Sequence, residues 1–81
     1  MPLQMVGIGE ENGYTKAFDY DGSNNMIYLG VTLPGTPKAS AGWRIAKFTY
    51  DGSNNLTDIQ YASGSHKFGY VWNDRVTYSY S

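Results

Sequence analysis

The sequence predicts an all-β domain, a compact antiparallel sandwich or small barrel of five or six strands built from hairpins. Three observations predict it. Aromatic residues make up 16% of the 81 residues, with Tyr 8, Phe 3 and Trp 2, and such side chains fit a pleated, half-buried surface. Apolar and polar residues alternate with a period of two over several short stretches, which is strand rather than helix periodicity. The hexapeptide Tyr20-Asp21-Gly22-Ser23-Asn24-Asn25 recurs unchanged as Tyr50-Asp51-Gly52-Ser53-Asn54-Asn55, an offset of 30 residues.

Residues 1–13 hold Pro2, three glycines and Glu10-Glu11-Asn12, with little alternation beyond Met5 to Ile8. They read as an extended N-terminal arm, of the kind that adds a strand to a neighbour's exposed edge. Residues 14–81 read as a single β-domain. In its first strand Lys16, Phe18 and Tyr20 share one face, with Asp19 and Asp21 on the other. The repeated Asp-Gly-Ser-Asn-Asn is a hairpin loop: Asp and Asn bond their own backbone and tolerate left-handed geometry, and Gly adopts it freely. After the first loop Ile27, Leu29, Val31 and Leu33 share a face, opposite Met26, Tyr28 and Thr32.

Pro34 to Gly42 is a connecting loop in which residues 38–41 have room for one helical turn, stopped by Gly42. The second hairpin runs over residues 43–62. Ala46, Phe48 and Tyr50 alternate there, while Trp43 and Ile45 have the other parity, so the strand is either buried on both faces or bulged near Ala46. On the return strand Thr57, Ile59 and Tyr61 read as the core face, with Asp58 and Gln60 outside. Ser63-Gly64-Ser65 is a further turn. Phe68, Tyr70 and Trp72 alternate, Asn73-Asp74 interrupts, and Val76, Tyr78 and Tyr80 alternate to the end, predicting a last hairpin or a bent segment plus a C-terminal strand, and no helix.

Composition narrows function by exclusion. The net charge is −1, so no basic excess points to nucleic acid. No apolar run approaches the roughly 18 residues of a membrane span, and the N-terminus lacks the charged and apolar regions of a signal peptide. Cysteine is absent, which excludes disulfides and thiolate metal sites. His66 is the single histidine, and no Gly-x-Ser-x-Gly surrounds Ser63 or Ser65. Asp19, Asp21, Ser23 and Asn25 alternate as in a calcium loop. Counted from Asp19, however, Asn24 and Gly30 stand where that loop needs its Gly and its bidentate Glu. The acidic residues Glu10, Glu11, Asp19, Asp21, Asp58 and Asp74 read as turn and strand-surface positions, and after Gly7-Ile8-Gly9 the third glycine of a dinucleotide site is misplaced and no helix follows. No enzyme activity, cofactor or metal is expected.

A domain of this size buries only about 60% of its unfolded surface, so binding to neighbours is the expected source of added stability. Trp and Phe residues are expected mainly in the core and some Tyr in an interface, where a large apolar body and a polar tip are both used. Expected partner contacts are Leu3, Met5, Val6 and Ile8 of the arm, with Arg44, Trp72, Arg75, Tyr78 and Tyr80 of the domain; Arg44 and Arg75 read equally as ion-paired or stacked at the edge of the sheet.

The order of elements over residues 16–81 resembles that of short proteins encoded among bacteriophage structural genes. They share a Tyr-Asp-x-x-x-Asn hairpin (Tyr20 to Asn25), an apolar strand (Met26 to Val31), Pro34-Gly35-Thr36 and a Trp-Arg-Ile-x-Lys strand (Trp43 to Lys47). A second such hairpin (Tyr50 to Asn55) and a closing Val71 to Ser81 segment follow. The resemblance implies a virion component: a non-enzymatic structural protein at the capsid surface, neck or tail, partnered by other virion proteins and by itself. It implies no catalytic residue. The hairpins are also similar to the Tyr-Asp repeats of Rhs and teneurin shells, from which two copies at an offset of 30 depart. The alternative expectation is a recognition module for a glycan or protein receptor, using tips at Tyr20, Asn24, Asn25, Tyr50, Asn54 and Asn55.

Overall fold

The computed structural model describes residues 13–81. The all-β expectation holds: β1 (Thr15–Tyr20), β2 (Met26–Thr32), β3 (Ala41–Tyr50), β4 (Leu56–Tyr61) and β5 (Tyr70–Val71) are followed by a 3₁₀ helix (Trp72–Thr77). Strands β1 to β4 form an antiparallel meander in sequence order, and β5 pairs with the start of β3. The arm, with Leu3, Met5, Val6 and Ile8, lies outside the described residues.

The two hairpins are built alike. In each, the Asp backbone N–H donates to the second Asn carbonyl at 2.9 Å, and the first Asn N–H donates back to the Asp carbonyl at 3.1 Å. The first Asn of each pair takes the left-handed conformation, φ 66° at Asn24 and 65° at Asn54, a region that Asn enters more readily than most residues. Pairing slips by one residue beside each tip, between Asp19 and Tyr20 and again between Thr49 and Tyr50. The slips set Tyr20 opposite Met26 and Tyr50 opposite Leu56. A further slip lies between Ala41 and Trp43 opposite β5, but register is regular from Arg44 to Thr49, so the odd parity near Ala46 has its explanation in burial on both faces: Trp43 and Ile45 are buried on one side and Ala46 on the other.

Val31 and Ala46, on the face that alternation marks as core, are buried, but the main core cluster lies on the opposite face. Phe18 and Ile59, expected inside, are exposed, whereas Ala17, Tyr28 and Thr32, on the opposite face, are buried. The reason is the C-terminal segment. Residues 72–77, expected to break and then continue as strand, instead wind into the 3₁₀ helix and fold over the Ala17, Tyr28, Trp43 and Ile45 side of the sheet. Register aligns Ala17, Gly30 and Ile45 in one row across three strands. Gly30 has no side chain there, so the Trp72 ring lies on its backbone; a Cβ at Gly30 would meet Trp72 Cε3 at 2.5 Å and Trp43 Cε3 at 2.9 Å.

Three residues per turn stack i and i+3 on one side of a 3₁₀ helix. Arg75 therefore follows Trp72 onto the sheet, its guanidinium 4.6 Å from the Trp72 ring centre. Arg75 Nε donates to Asp19 Oδ2 at 3.0 Å, pinning the segment to β1. Of the expected C-terminal strand only Tyr80 pairs, in an isolated bridge with Ala62.

Candidate functional site

Two surfaces were expected to meet partners, and the structure treats them differently. Trp72 is only 4% exposed and lies in the core, so its assignment as a partner contact is corrected. Arg75, Tyr78 and Tyr80 are engaged within the domain. The Tyr78 hydroxyl accepts the Val71 N–H at 2.9 Å, and the Tyr80 hydroxyl donates to the Arg75 carbonyl at 2.6 Å. Burial, reinforced by the neighbouring Tyr28 and Tyr78, pushes the Tyr80 phenol above its ordinary range and keeps that donor protonated. These four side chains clamp the C-terminal segment onto the sheet. Arg44 lies on the other face, its guanidinium 5.2 Å from the centre of the Phe68 ring.

That other face is open toward the hairpin tips, while Val31 and Ala46 nearer its centre are buried. Register places Phe18 beside Leu29, Leu29 beside Ala46, Ala46 beside Tyr61 and Phe48 beside Ile59. Toward the tips, Phe18 is 52% exposed, Tyr20 55%, Leu56 48% and Ile59 49%. At the opposite end Tyr14, Leu33 and Phe68, with Thr32, Thr36 and Gly42, line an apolar pocket of about 300 Å³. Its two threonine hydroxyls are already spent: Thr32 donates to the Gly42 carbonyl and Thr36 to the Leu33 carbonyl. The pocket therefore offers a small ligand apolar surface and little directed polar contact.

The hairpin tips stand side by side at one end of the sheet. Asn25 Nδ2 donates to Asn54 Oδ1 at 3.0 Å, and the Tyr50 hydroxyl donates to the Met26 carbonyl at 2.8 Å. Each Asp carboxylate is turned inward on its own loop. Asp21 Oδ1 accepts from the Ser23 and Asn25 N–H groups, and Asp51 Oδ1 from those of Ser53 and Asn55. Sequence reasoning found these residues but not the bonds across the two hairpins. The signal was there in the identity of the two loops, since equal loops on consecutive hairpins of a meander end at the same edge.

The Asp51 carboxyl is held below its ordinary value of 3.8, chiefly by the Asn55 backbone N–H and then by that of Ser53. A depressed folded-state pKa contributes stability above the unfolded value and loses it as pH falls through the folded one. Acidification from neutrality to below 3.8 is therefore expected to loosen the second tip. The protection of the Ser53 and Asn55 amides in NMR exchange, taken relative to the intrinsic rate at each pH, should fall over that range, and Asp51→Asn should remove most of that pH dependence.

Among the described residues no group of three or more His, Asp or Glu side chains is placed to hold a metal ion. His66 is exposed, in a turn where the Ser65 hydroxyl accepts the Lys67 N–H. No protein-family model, curated protein or solved structure matches the chain.

Proposed function

We propose that the chain is a non-enzymatic structural component of a phage particle, which binds neighbouring subunits through the open apolar face of its sheet together with its N-terminal arm. The observation that carries the binding role is Phe18, Tyr20, Leu56 and Ile59 on one face, each about half exposed. Contiguous apolar surface rimmed by polar residues is the mark of an interaction site, and scattered single residues are not. The opposite face already has its cover in the C-terminal segment, so the open face is the one left for a partner. The particle itself is supported by the resemblance of residues 16–81 to proteins of phage structural gene clusters.

The twin tips suit this reading better than receptor recognition, because their carboxylates and three of their four asparagine amides are spent on holding the loops and each other. The test is quantitative mass spectrometry of phage particles purified from induced cells that carry the gene for this chain. The wild type is expected in purified particles at a fixed copy number, and a Phe18→Ser/Ile59→Ser double variant is expected to be depleted from them while remaining folded in the lysate. A wild-type chain absent from particles would overturn the proposal.

A further inference from the structure

The inner seam of the sheet, between β2 and β3, joins the first hairpin to the second. The two hairpins are copies of one another, so the seam shows how one such hairpin receives the next. Its parts are the ladder from Tyr28 with Lys47 to Val31 with Arg44, the Asn25 amide on Asn54, and the Tyr50 hydroxyl on the Met26 carbonyl. Shifting each residue by the 30-residue repeat gives its outer equivalent. Asn25 becomes Asn55, Met26 becomes Leu56, Leu29 becomes Ile59, Asn54 becomes Asn24, Phe48 becomes Phe18 and Tyr50 becomes Tyr20.

The outer equivalents behave as the same seam with one side missing. Phe48 and Tyr50, flanked by strands on both sides, are half-buried, whereas Phe18 and Tyr20 on the outer strand are exposed. Met26 and Leu29 are half-buried, whereas Leu56 and Ile59 are exposed. The Asn25 amide reaches the neighbouring hairpin, whereas the Asn55 amide turns back to its own Asp51 at 3.3 Å. Among the described residues no strand pairs with the outer edge of β1, and Ser81 closes the outer edge of β4 only at Tyr61.

We infer that a second copy of this chain continues the meander, the outer edge of β4 in one copy receiving β1 of the next. The strand directions agree, because β1 following β4 is antiparallel, as β3 following β2 is. The inner register, carried over, pairs Asp58 with Ala17 and Gln60 with Thr15 of the second copy. It sets the Tyr20 hydroxyl of that copy on the Leu56 carbonyl and its Asn24 beside Asn55, and it pairs Ile59 with Lys16, leaving Phe18 diagonal to Ile59. The interface is head-to-tail, so it closes into a ring or runs on as a filament. This inference rests on the assembly reading above and names the occupant of part of its surface.

Sedimentation velocity of the full chain over a range of concentrations tests it, with Phe18→Lys blocking one edge and Ile59→Lys the other. The wild type is expected to form species larger than dimers, and each variant alone to lose that association by about tenfold or more in affinity. A head-to-tail interface then requires that an equal mixture of the two variants recover a dimer and nothing larger, because each retains one intact edge. Circular dichroism shows whether each variant is folded. Tyr20→Phe, which removes only a hydroxyl, is expected to weaken association without altering the fold. A wild type that stays monomeric throughout, association that survives in both lysine variants, or a mixture that recovers nothing would overturn the inference. A monomeric wild type still incorporated into particles would defeat the inference alone. A monomer absent from particles would defeat the assembly reading as well.

Discussion

Trp72→Ala is expected to destabilise the domain by about 4 kcal/mol, the middle of the range for truncating a buried Trp. For a chain this short that is a Tm lower by roughly 15–30 °C. Total stability at this length is on the order of 4–12 kcal/mol, so the variant stands close to unfolding at room temperature. The size of the effect follows from what the ring touches. It lies on the Gly30 backbone, packs 5.9 Å from the Trp43 ring at an interplanar angle of 37°, and carries the Arg75 guanidinium on its outer side. Removing it opens a cavity over the centre of the sheet and strips Arg75 of one of the surfaces that hold it against Asp19. Thermal denaturation followed by circular dichroism measures the loss. Val76→Ala in the same 3₁₀ helix is the control, because Val76 is 69% exposed and its truncation should change stability by less than about 0.5 kcal/mol. Equal midpoints for Trp72→Ala and the wild type would mean that the C-terminal segment is not the cover of the core.

What was legible in the sequence, and what was not, divides along the range of the interactions. The hairpin tips were legible because their causes are local: Asp21 and Asp51 bond amides two and four residues on, and Asn24 and Asn54 tolerate positive φ. The strands were legible from their period. The identity of the buried face was not, because alternation says which residues share a face and is silent on what covers it. The cover comes from Trp72, which is distant in sequence from the row it covers, and from the Arg75 pair with Asp19. One clue was present: Gly30 sits between Leu29 and Val31 in mid-strand, and a glycine there marks the close approach of another group. The C-terminal aromatics misled for the same reason. Their alternation reads as a strand, while the spacing that governs the fold is the three-residue step from Trp72 to Arg75. The candidate surface was half legible: Tyr20 and the tip asparagines were identified, but Phe18 and Ile59 were assigned to the core.

Gly30→Ala puts the origin of that face preference to a direct test and is expected to cost about 3 kcal/mol, the upper part of the range for overpacking a core. The added methyl carbon would stand 2.5 and 2.8 Å from two atoms of the Trp72 ring and 2.9 Å from Trp43, and both rings are buried. The Trp43 indole is tethered by its N–H to the Pro37 carbonyl at 3.0 Å, so the Trp72 ring has to move, and with it the Arg75 contact to Asp19. Gly52→Ala is the comparison, since a Cβ at the exposed hairpin tip meets nothing within 4 Å; it should be neutral or slightly stabilising. Chemical denaturation of the two variants measures the difference. The Gly30→Ala/Trp72→Ala double variant carries the argument further. Truncating the indole makes room for the new methyl, so the pair should be less destabilised than the sum of the single variants, by about 1 kcal/mol or more. An additive pair would mean that the ring does not rest on Gly30, and the choice between the two faces of the sheet would then need another cause.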